Sequence, residues 1–435
     1  MSKNLGVNVA GFINSESGLG EGVRTTIRSL KAADVSVVLN DCNFDAEHRK
    51  LDHSFTEFSA ENPFPINLIQ INGDQISRFI ELYGEDYFRG KYNIGYWAWE
   101  SPDFPPEWLD ALNRFDEIWT PSNFCVEAIS QVAKIPVIRM PHAIALPQPK
   151  ADRKTLNLPA DKFIFLFIFD FCSLFERKNP TAVVEAFERA FGKTDERVLL
   201  VIKTANGKMH PEAFASLKEQ MKGFANARLI DRYLLKDEIN ALISECDCYV
   251  SLHRAEGFGL TMAEAMFYGK PVIATAYSAN VDFMNPSNGF PAQYDLVTLT
   301  EDVRNYKKGS YWAEPSVAHA AELMRYVFEN QEKAGQIGER AARDVRAMLS
   351  PQAVGERMRR RLERVTYLQN DFVAASSPAE EIQKKLDAYR IRSEQKEGEV
   401  LRLREKIKVM QESRFWKMRN QWFKFKRAAR ISDSE

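Results

Sequence analysis

Cysteine is scarce and long apolar runs are absent, and each absence excludes a class of protein. Only five of the 435 residues are cysteines, which rules out a disulfide-stabilised miniprotein and suits a reducing compartment. The closest pair is Cys246 and Cys248, and because no set of zinc ligands surrounds it, we expect two core thiols. No apolar run approaches the roughly 20 residues of a spanning helix, and no signal peptide is recognisable at the start. We therefore expect a cytoplasmic protein, at most peripheral at the inner face of the cytoplasmic membrane.

The composition is that of a globular protein with more than one domain. Hydrophobic residues make up 45% of the chain, with 21 glycines and 19 prolines, so a wholly disordered chain and a collagen-like repeat are excluded. At roughly 150 residues per domain the length allows about two domains and a remainder. The net charge is only −1, but residues 351–435 carry 21 Lys and Arg against 13 Asp and Glu. This uneven distribution of charge indicates that the C-terminal part binds an anionic partner or surface.

Short apolar segments alternate with helical ones through the first 350 residues, which predicts two α/β domains. Residues 1–147 are predicted to form a Rossmann-like, doubly wound domain with parallel strands. Prolines and charges near Pro147 mark a linker, and the alternation then restarts in residues 148–350. Residues 163–169 are apolar at every position, as a strand buried on both faces is. Two such domains facing each other form a crevice at the carboxyl ends of both sheets, where ligands bind.

The chain after residue 350 is predicted to be helical and to associate. Residues 351–377 are predicted to form a basic helix and a linker. In residues 378–412, mainly apolar residues recur without a break at alternating spacings of four and three, and the two at the centre of the series are polar. This heptad pattern predicts a coiled coil. Because a coiled coil needs a second strand, we expect a homo-oligomer, most simply a parallel dimer. The alternative is a lone surface helix.

Residues 413–435 form a basic, aromatic, amphipathic tail. Between residues 413 and 430, aromatic side chains interleave with Lys and Arg. Such a helix can lie in an anionic membrane surface, with its rings at the headgroups. A helix docked on the body and a site for single-stranded nucleic acid are the alternatives. Because nothing else in the sequence is directed at nucleic acid, we expect no nucleic-acid partner.

Two glutamates, Glu256 and Glu264, flank a glycine-bearing turn between a predicted strand and a predicted helix. The N–H groups at a helix start are unpaired and carry the positive end of the helix dipole, which favours an anion there. Two carboxylates that face the crevice suit a polyhydroxy compound, because each can accept hydrogen bonds from neighbouring hydroxyls. The alternative is a solvated loop charge and an ordinary glutamate in the first turn of a helix.

Two cations and two glycines complete the predicted site. Arg177 and Lys178 follow the first strand of the second domain and precede a helix start, a combination that favours a diphosphate. Gly18 and Gly20 occupy the first turn between strand and helix in the first domain, where glycine lets the backbone approach a bulky anionic ligand.

Together these segments resemble family 4 of the retaining glycosyltransferases, which have the GT-B architecture of two facing Rossmann-like domains. The resemblance covers about residues 5–350, and its most specific part is the pair of glutamates eight positions apart around Gly-Phe-Gly-Leu. It implies that Glu256 holds the hydroxyls of the donor sugar and that Glu264 binds the ribose. It also implies that Arg177 and Lys178 neutralise the departing diphosphate. The further donor-binding positions that it implies are Gly18, Gly20, Gly257, Phe258, Gly259, Leu260 and, for the nucleobase, Ile230.

The resemblance also implies a retaining transfer without a metal. Fixed cations and backbone amides would stabilise the charges that separate as the anomeric bond breaks. The acceptor hydroxyl would attack from the leaving-group face and pass its proton to a phosphate oxygen. The sequence also lacks the Asp-x-Asp triplet of metal-dependent sugar transferases. We therefore expect a nucleoside-diphosphate sugar as donor and no metal or other cofactor.

The acceptor side departs from the family pattern. Many members carry a His-Glu pair after the fourth strand, whereas this chain has Trp97-Ala-Trp99-Glu100. Glu100 and Asp103 are therefore candidates for contact with the acceptor. His142 is a third candidate, and a structural role suits it equally well. Trp97 and Trp99 either belong to the core or stack on a sugar.

Two segments, starting at Ser251 and Tyr277, are similar to transferases of O-antigen or capsule assembly. We therefore predict transfer of a hexose, with GDP-mannose as the candidate donor, to a growing surface glycan or a lipid-linked glycan acceptor. Two alternatives remain. One is a sugar-nucleotide epimerase, for which the sequence offers no acid–base set, and the other is a catalytically inactive nucleotide-binding scaffold organised by the coiled coil.

Overall fold

The computed structural model describes residues 5–44, 48–304 and 306–374. The chain divides into two compact units, Met1–Leu362 and Glu363–Glu435. The first unit holds both α/β domains. Of the second unit, only the end of one helix, residues 363–374, is described. The predicted coiled coil of residues 378–412 and the tail of residues 413–435 lie outside the described residues.

The first domain is a six-stranded parallel sheet with short helices between the strands. Its strands are β1 (Gly6–Gly11), β2 (Ser36–Asp41), β3 (Ile66–Gln70), β4 (Tyr92–Tyr96), β5 (Glu117–Thr120) and β6 (Val137–Arg139). Its helices are α1 (Gly18–Ala32), α2 (Ile76–Tyr83) and α3 (Asn123–Ser130). The strand order is β2-β1-β3-β4-β5-β6. The order changes direction between β1 and β3, and such a switch point opens a crevice at the carboxyl ends of the strands.

The second domain repeats this architecture with a second six-stranded parallel sheet. Its strands are β7 (Phe163–Ile168), β8 (Val198–Thr204), β9 (Ala227–Asp231), β10 (Cys248–Ser251), β11 (Val272–Thr275) and β12 (Phe290–Ala292). The helices up to β12 are α4 (Phe175–Lys178), α5 (Pro180–Phe191), α6 (Pro211–Gln220), α7 (Lys236–Glu245) and α8 (Leu260–Phe267). The strand order is β12-β11-β10-β7-β8-β9. The switch point lies between β7 and β10, so the loops after these two strands border the crevice.

The apolar strand β7 lies at the centre of the second sheet, as its sequence predicts. Its first five residues are buried, and the aromatic rings of Phe163, Phe165 and Phe167 belong to the main core of this domain. Full burial on both faces is what a central parallel strand requires. The neighbouring thiols Cys246 and Cys248 are buried in the same core, which confirms their prediction as core thiols.

A β-hairpin follows the second sheet and was not predicted from the sequence. Its strands, β13 (Tyr294–Thr298) and β14 (Tyr311–Pro315), pair antiparallel and join neither six-stranded sheet. Two helices, α9 (Val317–Glu329) and α10 (Gln331–Leu349), then pack on the second domain. The hairpin is therefore an insertion between the last strand of the parallel sheet and the helix that covers it.

The last helix, α11 (Pro351–Ala374), leaves the second domain and packs on the first. Arg359 Nη1 donates to the carbonyl of Ala33 at 3.1 Å, and Arg361 Nε donates to Glu117 Oε2 at 3.0 Å. Glu117 is fully buried and also accepts from Trp119 Nε1 at 2.6 Å. The chain thus crosses between the two domains twice, once near Pro147 and once at the start of α11.

The architecture confirms the prediction of two facing Rossmann-like domains in a GT-B arrangement. The alternative that Trp97 and Trp99 stack on a sugar is not supported, because their side chains are 0% and 4% exposed and pack among other rings. Trp97 lies against Phe104 and Phe115. Within the described residues, no helix is long and apolar enough to span a membrane.

Candidate active site

Glu256 lies in the loop between β10 and α8, and backbone contacts hold this loop in place. The backbone N–H of Glu256 donates to Ser278 Oγ at 2.9 Å, and its carbonyl accepts from the N–H of Ala279 at 3.2 Å. Gly259 adopts φ +90° and precedes α8, a backbone conformation that favours glycine. The loop therefore presents a buried carboxylate at the carboxyl edge of the sheet.

Two cations surround this carboxylate. Lys178 Nζ donates to Glu256 Oε1, and Arg177 Nη1 lies 3.4 Å from the same oxygen. Arg177 Nη1 also donates to the carbonyl of Ala255 at 2.9 Å. Burial by itself would raise the pKa of Glu256, but Lys178 and Arg177 outweigh burial and lower the pKa to about 2. Glu256 is therefore ionised and paired at neutral pH, beside the basic pair with which the sequence associated it.

The local sequence explains why the two cations stand side by side. They end α4, a single helical turn that stops at Asn179 in the left-handed region, with φ +53°. Asparagine adopts this conformation more readily than most residues, and its side chain caps α5 by accepting from the N–H of Ala182. Pro180 supplies the first residue of α5. This break between two helices places Arg177 and Lys178 after β7, at the start of α5.

The first domain contributes Glu100 to the same cluster. Arg177 Nη2 lies 3.7 Å from Glu100 Oε1, so the guanidinium lies between carboxylates of both domains. Asp103, the other predicted acceptor residue, has a different place: it is exposed, and its carbonyl accepts from Trp99 Nε1 at 2.8 Å. Of these two acceptor candidates, only Glu100 is brought to the cations.

Glu264 belongs to a second ionic group, on the other side of the glycine turn. Lys236 Nζ lies 3.5 Å from Glu264 Oε1 and 3.9 Å from Glu21 Oε2 of the first domain. Burial raises the pKa of Glu264, and Lys236 offsets this only in part. Lys236 is half-exposed, with 49% of its side chain accessible. The two glutamates eight positions apart therefore have different partners and different electrostatic environments.

The two predicted glycines of the first domain have distinct surroundings. A Cβ at Gly18 would meet no heavy atom within 4 Å, so the backbone there leaves space for a neighbour. A Cβ at Gly20 would collide with the carbonyl of Ser15. The N–H of Gly20 donates to Ser17 Oγ, which caps α1. Gly20 is thus required by its own loop, whereas Gly18 is open to approach.

His142 is buried at the junction of the two domains. Its ring stacks on Tyr96 at 5.4 Å and meets Phe258 edge to face at 5.0 Å. A Cβ at Gly22 of α1 would lie 2.9 Å from the imidazole Cε1. Burial lowers the pKa of His142 to about 4, with a small opposing effect of Glu21. The imidazole is therefore neutral at pH 7 and fills the space beneath the start of α1.

Gly257 lets the two domains approach closely. A Cβ at Gly257 would lie 3.2 Å from the carbonyl oxygen of Trp99. Between them, Cys125 Sγ donates to the carbonyl of Trp99 at 3.0 Å and lies 3.4 Å from the carbonyl of Gly257. This position therefore serves the contact between domains, and a larger residue would separate the crevice walls.

Leu260 and Ile230, the remaining predicted donor positions, are half-buried and pack against the core of the second domain. Leu260 is the first residue of α8. Ile230 precedes the last residue of β9, Asp231, which accepts from Thr204 Oγ1 at 2.9 Å and from the N–H of Gly207 at 3.2 Å. The polar atoms at the end of β9 thus belong to Asp231 and its neighbours.

One group of side chains among the described residues could hold a metal ion. Ligand atoms of His48, Asp170 and Cys172 lie within 4.8 Å of one another. Asp170 already accepts two contacts from Asn206 Nδ2, at 2.9 and 3.0 Å. These residues are not among the predicted site residues, and the positive charge beside Glu256 comes from Arg177 and Lys178.

Sequence reasoning missed three residues that contact the predicted ones. Lys236 and Glu21 could have been found, because each follows a strand end or a loop at the carboxyl edge of its sheet. The third, Tyr306, lies in the loop of the inserted hairpin and interacts with Arg177 and Glu100. No motif or periodicity in the sequence points to Tyr306.

Comparison with known proteins agrees with this architecture. Residues 149–290 match the family described as glycosyl transferases group 1. The fold is similar to that of Anabaena Alr3699/HepE in complex with UDP and glucose, with a TM-score of 0.60 at 15% identity over 82% of this chain and 99% of that one. A glycosyltransferase from Rickettsia africae gives the same score and identity, over 84% and 99% of the two chains.

A longer relative shares only part of its length. S. aureus TarM, in complex with fondaparinux, α-GlcNAc-glycerol and UDP, has a TM-score of 0.51 at 14% identity. The alignment covers 68% of this chain and 55% of TarM, so the chain spans about half of that protein. At these identities the likeness shows the fold. Together with the group 1 match of the second domain, which contains Arg177, Lys178, Glu256 and Glu264, it supports a glycosyltransferase.

Proposed function

We propose that this protein is a retaining glycosyltransferase that moves a hexose from a nucleoside-diphosphate sugar to a growing surface glycan or a lipid-linked acceptor. The observation that carries the proposal is the convergence of Glu256, Arg177 and Lys178 in one buried cluster between two Rossmann-like domains. Taking a carboxylate and two cations out of water is costly, and groups with strongly shifted pKa values of this kind cluster at functional sites.

The two ionic groups suggest how the donor lies. The diphosphate takes the place that Glu256 occupies on Arg177 and Lys178, since phosphate oxygens accept from both cations. The carboxylate of Glu256, released from part of this pairing, then accepts hydrogen bonds from hydroxyls of the sugar. Glu264 accepts from the ribose hydroxyls in place of Lys236. The donor thus spans the glycine turn between the two glutamates.

The residues supply the electrostatics that the reaction needs. When the anomeric bond breaks, the electron pair leaves with the diphosphate and the sugar ring becomes positive. Arg177 and Lys178 stabilise the departing charge in a site from which water is largely excluded, where fixed charges act strongly. The acceptor oxygen bonds to the same face of the anomeric carbon, and its proton passes to a phosphate oxygen of the leaving group. In the proposed reaction, the positive charge that stabilises the departing diphosphate therefore comes from side chains of the protein.

Measuring which nucleotides bind would narrow the identity of the donor. HepE has been crystallised with UDP-glucose, whereas GDP-mannose is the candidate donor that we associate with the resemblance to transferases of O-antigen or capsule assembly. Thermal shift against UDP, GDP and their sugars should raise the melting temperature with only one of the two nucleobases. Equal shifts with both would contradict a nucleobase-selective donor site.

Turnover tests the function directly. The protein is incubated with UDP- and GDP-hexoses and candidate glycan acceptors, and release of the nucleotide and of glycosylated product is measured. Glu256→Gln should abolish transfer, while Glu185→Gln, on the exposed face of α5, should not change it. Product in which the anomeric configuration is inverted would contradict retention. Nucleotide binding without turnover for any pair would instead favour a scaffold.

The predicted coiled coil and tail fit the same function as assembly devices. We propose that residues 378–412 join copies of the chain and that residues 413–430 bind an anionic membrane surface, near a lipid-linked acceptor. Sedimentation of a chain ending at residue 377 should give a lower mass than the full chain. Liposome co-sedimentation of the full chain should require anionic lipid and should be lost without residues 413–435.

A further inference from the structure

The loop of the β13–β14 hairpin reaches from the second domain and contacts the first. In this loop, Tyr306 stacks on Trp99 of the first domain, with ring centroids 5.8 Å apart and planes 15° apart. Ser310 Oγ lies 3.1 Å from Ser101 Oγ in the same segment of the first domain. The loop therefore touches the residues on both sides of Glu100, on the acceptor side of the crevice.

The hairpin is anchored on the turn that carries the two cations. Trp312 and Leu299 pack with Leu174, the residue that precedes α4. Arg254 Nε donates to Glu314 Oε2 at 2.6 Å, and its guanidinium lies over the ring of Trp312 at 5.2 Å. Displacing this hairpin would therefore disturb the support of α4 as well as the contact with the first domain.

Tyr306 joins the hairpin to the ionic cluster. Its side chain is almost fully buried, at 7% exposure, and its hydroxyl interacts with Arg177 and Glu100. Burial raises the pKa of Tyr306 well above its ordinary value, so the hydroxyl keeps its proton and acts as a donor at neutral pH.

A role in packing alone does not explain this residue. Phenylalanine would make the same stack on Trp99, which contributes about 0.5–1.5 kcal/mol. A hydroxyl adds a polar group whose burial is unfavourable unless it is hydrogen-bonded. Its position beside Arg177 and Glu100 indicates that the hydroxyl serves the charged groups of the site.

The proposed reaction also needs a barrier on this side of the crevice. Water can attack the anomeric carbon of an activated sugar, so a transferase must keep bulk water out while it admits the acceptor hydroxyl. Buried rings and a hydroxyl on a segment anchored to both domains can provide such a barrier.

We propose that the β13–β14 hairpin is the acceptor-side wall of the active site, and that Tyr306 is a positioning residue that holds Glu100 and Arg177 while the wall excludes water. The proposal rests on the proposed glycosyltransferase function. It assigns two separable effects to one side chain. The hydroxyl orients the charged groups, and the ring closes the wall against Trp99.

Two substitutions of Tyr306 separate these effects. Tyr306→Phe keeps the ring and removes the hydroxyl, so transfer should fall about 10-fold through kcat, as expected for the loss of one hydrogen bond to a charged group, with the KM for the donor little changed. Tyr306→Leu also removes the stack, so hydrolysis of the donor relative to transfer should rise on the order of 5-fold.

Transfer and donor hydrolysis are measured in one assay, by quantifying glycosylated acceptor and free sugar together. Tyr311, an exposed tyrosine of the same hairpin, supplies the matched control: Tyr311→Phe and Tyr311→Leu should leave both rates unchanged. Ser101→Ala with Ser310→Ala removes the cross-domain contact without touching Tyr306 and should also raise the ratio of hydrolysis to transfer.

The outcomes distinguish this inference from the function on which it rests. If the wild-type protein transfers sugar and the Tyr306 variants keep its rate and its hydrolysis ratio, the hairpin is not the wall and the function stands. Equal losses of transfer and hydrolysis with a lowered melting temperature indicate a structural role only, and overturn the inference. No turnover by the wild-type protein with any donor overturns both.

Discussion

The two glutamates of the crevice lie on either side of one glycine turn, yet they have opposite electrostatic environments. Glu256 is paired with two cations of its own domain, and its pKa is lowered to about 2. Glu264 shares one lysine with Glu21 of the other domain, and burial raises its pKa. The sequence motif is symmetric, and the surroundings make the two ends different.

The two ends also differ in how far their cations are exposed to solvent. Lys178 is 19% exposed at the Glu256 end, whereas Lys236 is 49% exposed at the Glu264 end. A rigid, buried cluster is suited to stabilise charge that develops during a reaction. A solvated lysine that bridges two domains is suited to give way to a ligand hydroxyl. We therefore expect chemistry at the first end and nucleoside binding at the second.

The largest effect is expected at the Glu256 end. Arg177→Met removes the cation shared by Glu256 and Glu100, so transfer should fall by about 10²–10³-fold, mainly in kcat. The measurement is steady-state transfer with saturating donor, and melting temperature reports whether the variant folds. Arg189→Met, which removes an exposed cation of α5, is the control and should change nothing. A normal kcat for Arg177→Met would remove the distinction between the two ends.

Substitutions at the Glu264 end are expected to have a smaller effect, which is confined to binding of the nucleoside diphosphate. Glu264→Gln should weaken binding of the nucleoside diphosphate by about 10-fold, since hydrogen bonds to a charged acceptor contribute about 1.5–3 kcal/mol. Lys236→Met should change it by about 5-fold or less, because an exposed ion pair contributes about 0.2–1 kcal/mol. Isothermal titration calorimetry with UDP and GDP measures both. A larger loss for Lys236→Met than for Glu264→Gln would reverse this assignment.

The turn between the two ends predicts a pH dependence of stability. Phe258 packs on His142, whose pKa is lowered from near 6.5 to about 4 by burial. The unfolded chain binds this proton at higher pH than the folded one, so stability is lost as pH falls from 6.5 toward 4. Between pH 7 and pH 5 the loss for His142 is on the order of 2 kcal/mol.

His142→Gln should therefore reduce the difference in unfolding free energy between pH 7 and pH 5. Denaturant unfolding at the two pH values measures it, with exposed His53→Gln as the control. If the variant loses as much stability as the wild type on acidification, a different group accounts for the pH dependence.

The smallest effect is expected from chelation. Because Arg177 and Lys178 supply positive charge at the diphosphate end, dialysis against EDTA should leave the rate of transfer unchanged within about 2-fold. Loss of activity that Mn²⁺ or Mg²⁺ restores would contradict this. In that case Cys172→Ser would test the group formed with His48 and Asp170.

The fold was predictable from sequence because it depends on local patterns. Short apolar segments such as residues 163–168 are typical of central strands, and Asn179-Pro180 starts a helix by capping and by a fixed φ. The proximity of Arg177 and Glu256 was predictable for a related reason: both follow strands that end at the same edge of one sheet.

What escaped prediction depends on contacts between distant segments. Tyr306 is 206 positions from Glu100 in the chain, and no spacing rule connects an inserted hairpin to the loop after β4. The tryptophans at positions 97 and 99 suit a sugar platform and a core equally well until their neighbours are known. Lys236 and Glu21, by contrast, follow strands at the carboxyl edges of their sheets, a pattern that the sequence does contain.

The ion pair between Arg361 and Glu117 decides how the protein can be shortened. A chain that ends at Ser350 would retain both parallel sheets yet lose Arg361, the cation of Glu117, together with the helix that carries it, while Trp119 and Tyr92 would still contact the carboxylate. The loss of this ion pair and of the packing of α11 would destabilise the first domain, and a typical domain is stable by only about 5–15 kcal/mol. The smallest version fit for crystallisation with donor analogues should therefore extend at least through Leu362.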